Sequence, residues 1–87
     1  MYYLLNAGSD TDLTAKSKTL RSWHISAAAG AVVNFKNGGT GGDIVFQVQL
    51  AGASSAGEIM GHKGMIFPAG LYVDWVSGAV TGSVDLD

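Results

Sequence analysis

The chain has no cysteine, a single proline and little charge among its 87 residues. Without cysteine, no disulfide can staple the fold and no thiolate zinc site can be built. Only 14% of residues are Asp, Glu, Lys or Arg, against roughly 25% in ordinary soluble domains. Charge is the usual protection of solvated surfaces and sheet edges, so a chain this neutral is expected to have much of its surface covered in its working state. A net charge of −2 argues against general nucleic-acid binding, which needs clustered Lys and Arg to neutralise phosphate. No stretch approaches the roughly 18 apolar residues that cross a membrane as a helix. The amino terminus has no basic segment and only a short apolar run, Tyr2 to Leu5, so no signal peptide and no membrane partner are expected.

What is present is glycine and alternation. Thirteen glycines punctuate short apolar runs, and a chain of this size makes one domain, residues 1–87, burying about 60% of its unfolded surface. Residues 68–87 read as two β-strands joined at Ser77-Gly78. Leu71, Val73 and Trp75 share one face of the first; Val80, Val84 and Leu86 share one face of the second. Ile44, Phe46, Val48 and Leu50 share a face of the clearest strand, with Gln47 and Gln49 opposite. Residues 19–27 place Trp23 and Ile25 against Ser22, His24 and Ser26, and residues 31–36 resume β character. Residues 6–12 and 51–57 read as turn and loop clusters, 38–42 as a hairpin loop, and 27–30 as a turn too short for a stable helix. The expected fold is all-β: a single small antiparallel β-sandwich or jelly-roll-like barrel of six to eight short strands. Residues 1–17 stand apart as an arm-like or interface segment.

Motifs with chemical meaning are weak. Gly38-Gly39-Thr40-Gly41-Gly42 superficially suggests a phosphate-cradling loop, yet a strand follows it, so no helix N-terminus is there to bind phosphate. Gly61-His62-Lys63-Gly64 matches a Gly-x-x-Gly loop without the flanking helices that loop requires; a tight turn is the expectation. His24 and His62 lack zinc spacing, and Asp10, Asp12 and Asp43 fall in glycine-containing turns where Asx-turn capping is favoured over calcium binding. No Gly-x-Ser-x-Gly elbow supports a triad. The reading is therefore of a non-enzyme without catalytic or metal residues and without a cofactor. Three of the five positive charges, Lys16, Lys18 and Arg21, lie within a short segment that could meet an acidic partner. Tyr is favoured at interfaces, so Tyr2, Tyr3 and Tyr72, the last on the strand face opposite Trp75, are the other interface candidates. The strand that ends the chain is expected to leave a sheet edge needing a partner.

The segments Lys18-Thr-Leu-Arg-Ser22, Gly39 to Leu50, and Phe67-Pro-Ala-Gly-Leu-Tyr-Val-Asp74 followed by Gly-x-Val-Thr-Gly-Ser-Val are together similar to small all-β bacteriophage virion proteins. The resemblance spans most of residues 18–87. It implies a sandwich or jelly-roll fold, a symmetric homo-oligomer such as a trimer, and a place on the virion. The major capsid protein, or another virion protein, is then its partner. A capsid decoration (cement) protein is the leading expectation. A tail knob or fibre tip binding a host glycan or surface receptor is the alternative, with Tyr72, Asp74 and Gln47 as its platform. A tail-tube or connector subunit is a further one.

Overall fold

The computed structural model describes residues 1–6, 8–61 and 63–87; Ala7 and His62 lie outside the described residues, and with His62 the middle of the Gly-x-x-Gly turn. The described residues form nine strands: β1 (Tyr2–Leu4), β2 (Thr11–Leu13), β3 (Thr19–Ala27), β4 (Ala31–Asn37), β5 (Asp43–Leu50), β6 (Ser54–Ile59), β7 (Met65–Ile66), β8 (Leu71–Ser77) and β9 (Val80–Leu86). The count exceeds the expected range because residues 11–12 and 54–57, read as turn and loop, pair with long strands, as do the short β segments expected within residues 58–67. Residues 11–13 join β8, 54–59 join β3, and 65–66 extend that second contact.

Two antiparallel sheets face each other, one ordered β1-β9-β3-β6 with β7 also on β3, the other ordered β2-β8-β4-β5. With the short β7 set aside, the pairings β1–β9, β2–β8, β3–β6 and β4–β5 are those of one long hairpin, rolled up with its tip between β4 and β5. This is the connectivity of a jelly roll. The tip is the glycine loop, where Gly38 (φ 105°) and Gly39 (φ 117°) adopt backbone that other residues rarely do. The sequence reading of this loop as a hairpin turn therefore holds.

The inward faces follow the alternation, corrected at three bulges. On β5, Phe46, Val48 and Leu50 point inward opposite Phe35, Val33 and Ala31, but Val45 is skipped in the register, so Ile44 pairs with Lys36 and emerges exposed. A second bulge skips Arg21, which lets both Leu20 and Ile25 reach the core despite their odd separation. A third skips Val76 on β8. Phe35, Phe67, Leu20, Ile25, Leu71, Leu86, Val33 and Val84 are fully buried between the sheets. Trp23, Phe35 and Phe46 pack together, the two phenylalanine rings stacked 4.4 Å apart and Trp23 at 5.7 and 5.8 Å from them.

The closing segment departs from expectation in its pairing. Leu71, Val73, Val80, Val84 and Leu86 are buried as the alternation requires. The two strands nevertheless belong to different sheets, and residues 78–79 carry the chain from one to the other. The final strand, β9, lies between β1 and β3, so it leaves no free edge. Its place is interior because β1 folds back over it, Leu5 N–H donating to Gly82 O at 2.9 Å. Residues 1–17 are accordingly built into both sheets, through β1 and β2. Among the described residues, the free edges are β1, β2, β5, and β6 with β7 continuing along the same side of β3.

Candidate functional site

The outer surfaces of the two sheets differ in kind. On the β2-β8-β4-β5 sheet, cross-strand rows bring Asp12, Tyr72, Lys36 and Ile44 into line, and next to them Asp74, Asn34 and Gln47. These groups satisfy one another. Gln49 donates to Gln47, Gln47 donates to Asn34 Oδ1 at 2.7 Å, and Asn34 donates to Asp74 Oδ2 at 3.2 Å. Lys36 Nζ lies 3.5 Å from the same carboxylate and donates to Thr40 O at 2.9 Å. Three polar residues named in the sequence thus fall on one face, Tyr72 and Asp74 on β8 and Gln47 on β5.

Tyr72 itself is corrected. Its side chain is only 8% exposed, and its hydroxyl donates to Asp10 Oδ2 at 2.7 Å. The other Asp10 oxygen accepts the Trp75 backbone N–H at 2.9 Å, beside the bulge at Val76. A residue so covered presents no ring to a partner or a sugar; it clamps the segment before β2 onto β8. Asp10 was legible only as a turn former, because its two partners are more than sixty residues away. Asp12 does form the expected Asx-turn: its Oδ1 accepts from Thr14 N at 2.9 Å and Thr14 Oγ1 at 2.6 Å, and the hydroxyl bond in particular lowers its pKa below 3.8. Among the described residues, no group of three His, Asp or Glu is placed to hold a metal ion.

The Tyr72–Asp10 bond has a measurable consequence. Donation to that carboxylate, then burial, pushes the Tyr72 phenol from 10.0 up to about 12. The folded state keeps the proton that the unfolded chain releases first. The resulting stabilisation is therefore fully present below pH 10 and lost as the pH rises toward about 12. In a phenolate absorbance titration, one of the three tyrosines should ionise late, and Asp10→Asn should bring it back toward 10.0. An unchanged titration in that variant would contradict the assigned bond.

The outer surface of the β1-β9-β3-β6 sheet carries little charge, Asp85 in its rows and Glu58 on its edge strand. Its rows read Tyr2–Asp85–Ser22–Ile59, Leu4–Ser83–His24–Gly57 and Thr81–Ser26–Ser55. The carboxylate in these rows, Asp85, is paired with the Met1 ammonium at 2.8 Å. A shallow groove of about 630 Å³ runs over the face between Tyr2 and Ile59, lined also by Ser22, Trp23, His24, Gly57 and Ser83, with Glu58 its one acidic residue. Tyr2 and Ile59 at its ends are 70% and 87% exposed, and Leu4, beside Ser83 on the same face, is 81% exposed. The flatness has a cause at Gly57, where a Cβ would stand 2.9 Å from Trp23 O.

The predicted contact residues divide between surfaces. Tyr2 stands exposed on the neutral face, whereas Tyr3, its neighbour on β1, turns inward and packs against the core. Lys16 Nζ sits 5.6 Å above the Tyr3 ring on β1, and Lys18 Nζ donates to Thr14 O at 2.8 Å within the local turn; both remain exposed. Arg21 is half-buried at the β3 bulge. Ile59 and Leu4 fall in segments the sequence marks as short strands, residues 58–67 and 2–5, but runs this short do not tell which apolar side chains turn outward. No protein-family model matches this sequence, and no curated protein or solved structure matches it.

Proposed function

We propose that this chain is a structural virion protein, a capsid decoration protein that self-associates on an assembled bacteriophage head and stabilises it. The observation that carries the reading is the neutral outer face of the β1-β9-β3-β6 sheet. Docking a face whose central carboxylate, Asp85, is already paired, with Glu58 left at its edge strand, gives up little ion hydration. Covering Tyr2, Leu4 and Ile59 removes apolar surface from water. The resemblance of short motifs across residues 18–87 to those of small virion proteins is in keeping with the same reading. So, by analogy only, does the jelly roll, a fold used by viral capsid proteins and also by lectins.

Such a protein works by mass action. Binding the assembled shell and not its parts stabilises the shell, and many copies multiply a modest contact. The test uses phage heads prepared without the chain, to which purified protein is added. Many copies at regular shell positions by electron microscopy, with a higher temperature of genome release, are expected. Ile59→Asp, which puts a charge at the most exposed apolar position, should weaken occupancy about tenfold or more, a loss of about 1.4 kcal/mol. Copies confined to the tail, or no binding at all, would overturn the reading.

A further inference from the structure

Among the described residues, β5 is the longest strand with a free edge, eight residues against six in β6, two in β7 and three each in β1 and β2. Its other edge pairs with β4, and among the described residues no further backbone group bonds to residues 43–50. Natural edges are blunted by lysine, proline or inward charge. From Ile44 to Leu50 this edge has none of these, and its bulge at Val45 leaves residues 46–50 regular. β6, by contrast, carries Glu58.

We infer that β5 pairs antiparallel with β5 of a second copy of this chain, joining two four-stranded sheets into one eight-stranded sheet across a two-fold axis. Three features select a second copy. A two-fold contact sets each residue near its own counterpart, so it favours a segment without charge, and residues 44–50 are such a segment. An isologous contact also needs side chains that can both donate and accept, which the glutamine amide does. Finally, the half-buried Phe46 lies at this edge and would be covered.

The alternation fixes the register. Directly paired residues share a sheet face, so only registers that put inward Phe46, Val48 and Leu50 opposite one another are allowed. The one that pairs the whole regular span, residues 46–50, places Val48 on the axis. It sets Phe46 opposite Leu50 of the second copy, and Gln47 opposite its Gln49, each twice. The amides suit this arrangement. Gln47 uses one N–H on Asn34, and Gln49 uses its amide N–H on Gln47. A second Gln47 N–H and the Gln49 Oε1 remain to bond across the axis.

This inference rests on the proposed self-association for its biological use, but its test does not. Sedimentation of the purified chain, whose monomer is 8.9 kDa, should show a concentration-dependent dimer. Gln49→Lys, at an exposed position outside the Asn34 bond, should weaken it about tenfold or more through like-charge and lost amide contacts. Because the chain has no cysteine, an oxidised mixture of Gln47→Cys and Gln49→Cys proteins should give the mixed disulfide, with neither variant cross-linking alone. A strict monomer at high concentration, or open-ended aggregates in place of a dimer, would overturn the pairing; cross-linking of Gln47→Cys alone would overturn its register. If Gln49→Lys is monomeric yet occupies phage heads like the parent chain, edge pairing plays no part on the shell and the decoration reading survives. A dimer that never binds heads separates the two in the other direction.

Discussion

Phe35→Ala is expected to remove a large share of the stability of this fold. Phe35 is fully buried, stacked at 4.4 Å on Phe46 and 5.7 Å from Trp23, and pairs across β4 with Val73 and Phe46. It therefore joins three strands of one sheet to β3 of the other. Truncating a buried phenylalanine costs about 3–5 kcal/mol, and the lost aromatic contacts contribute about 0.5–1.5 kcal/mol within or beyond that range. A single domain is stabilised by only about 5–15 kcal/mol. At roughly 4–8 °C per kcal/mol for a domain this small, the melting temperature should fall by about 12 °C or more. Phe35→Leu, which leaves a smaller cavity, should fall less. Thermal unfolding followed by circular dichroism measures both, and a Phe35→Ala protein melting within a few degrees of the parent would refute the account of the core.

Gly78→Val is expected to be at least as damaging, for a different reason. Gly78 sits at φ 86°, in the left-handed region that a β-branched residue adopts only under strain. A Cβ there would stand 2.4 Å from Gly30 O and 2.6 Å from Ala31 Cβ, closer than real contacts allow. The neighbours are backbone and a buried residue, so neither can rotate away. Backbone strain of about 1–3 kcal/mol and overpacking of about 1–3 kcal/mol add at one point. That point is where the chain passes from β8 to β9, next to the passage from β3 to β4, so a shift there pulls on both sheets. The Trp75 indole N–H also donates to the Gly78 carbonyl. Gly52→Ala is the matched control: nothing lies within 4 Å of the added carbon, and the effect should stay within about 0.5 kcal/mol. Equal denaturation midpoints for the two variants would show that the junction is not constrained as described.

Much of the local structure was legible in the sequence. Leu71 and Val73, Val80, Val84 and Leu86, and Phe46, Val48 and Leu50 turn inward as their alternation demands, because side-chain direction in a strand follows from backbone geometry alone. The glycine hairpin between β4 and β5 and the Asp12 Asx-turn were readable for the same reason: each is closed within a few residues. Bulges broke the pattern. Ile44 belongs to the alternating set yet points outward, since one skipped residue inverts everything beyond it. Tyr72 was assigned correctly to the face opposite Trp75, but that face is not free there. Asp10 and Lys36 flank it through contacts that no local pattern contains.

The sequence by itself determined that this is a small, neutral, cysteine-free chain of short strands and glycine turns, with its inward residues largely marked. Only the tertiary structure decided which strand lies beside which. Strand pairing is a long-range event, Tyr2 beside Asp85 and Asp12 beside Tyr72, and its partners are selected by the rolling of one long hairpin, not by neighbours along the chain. That rolling buried the terminal strand, where the sequence had suggested an open edge, and left β5 uncovered instead.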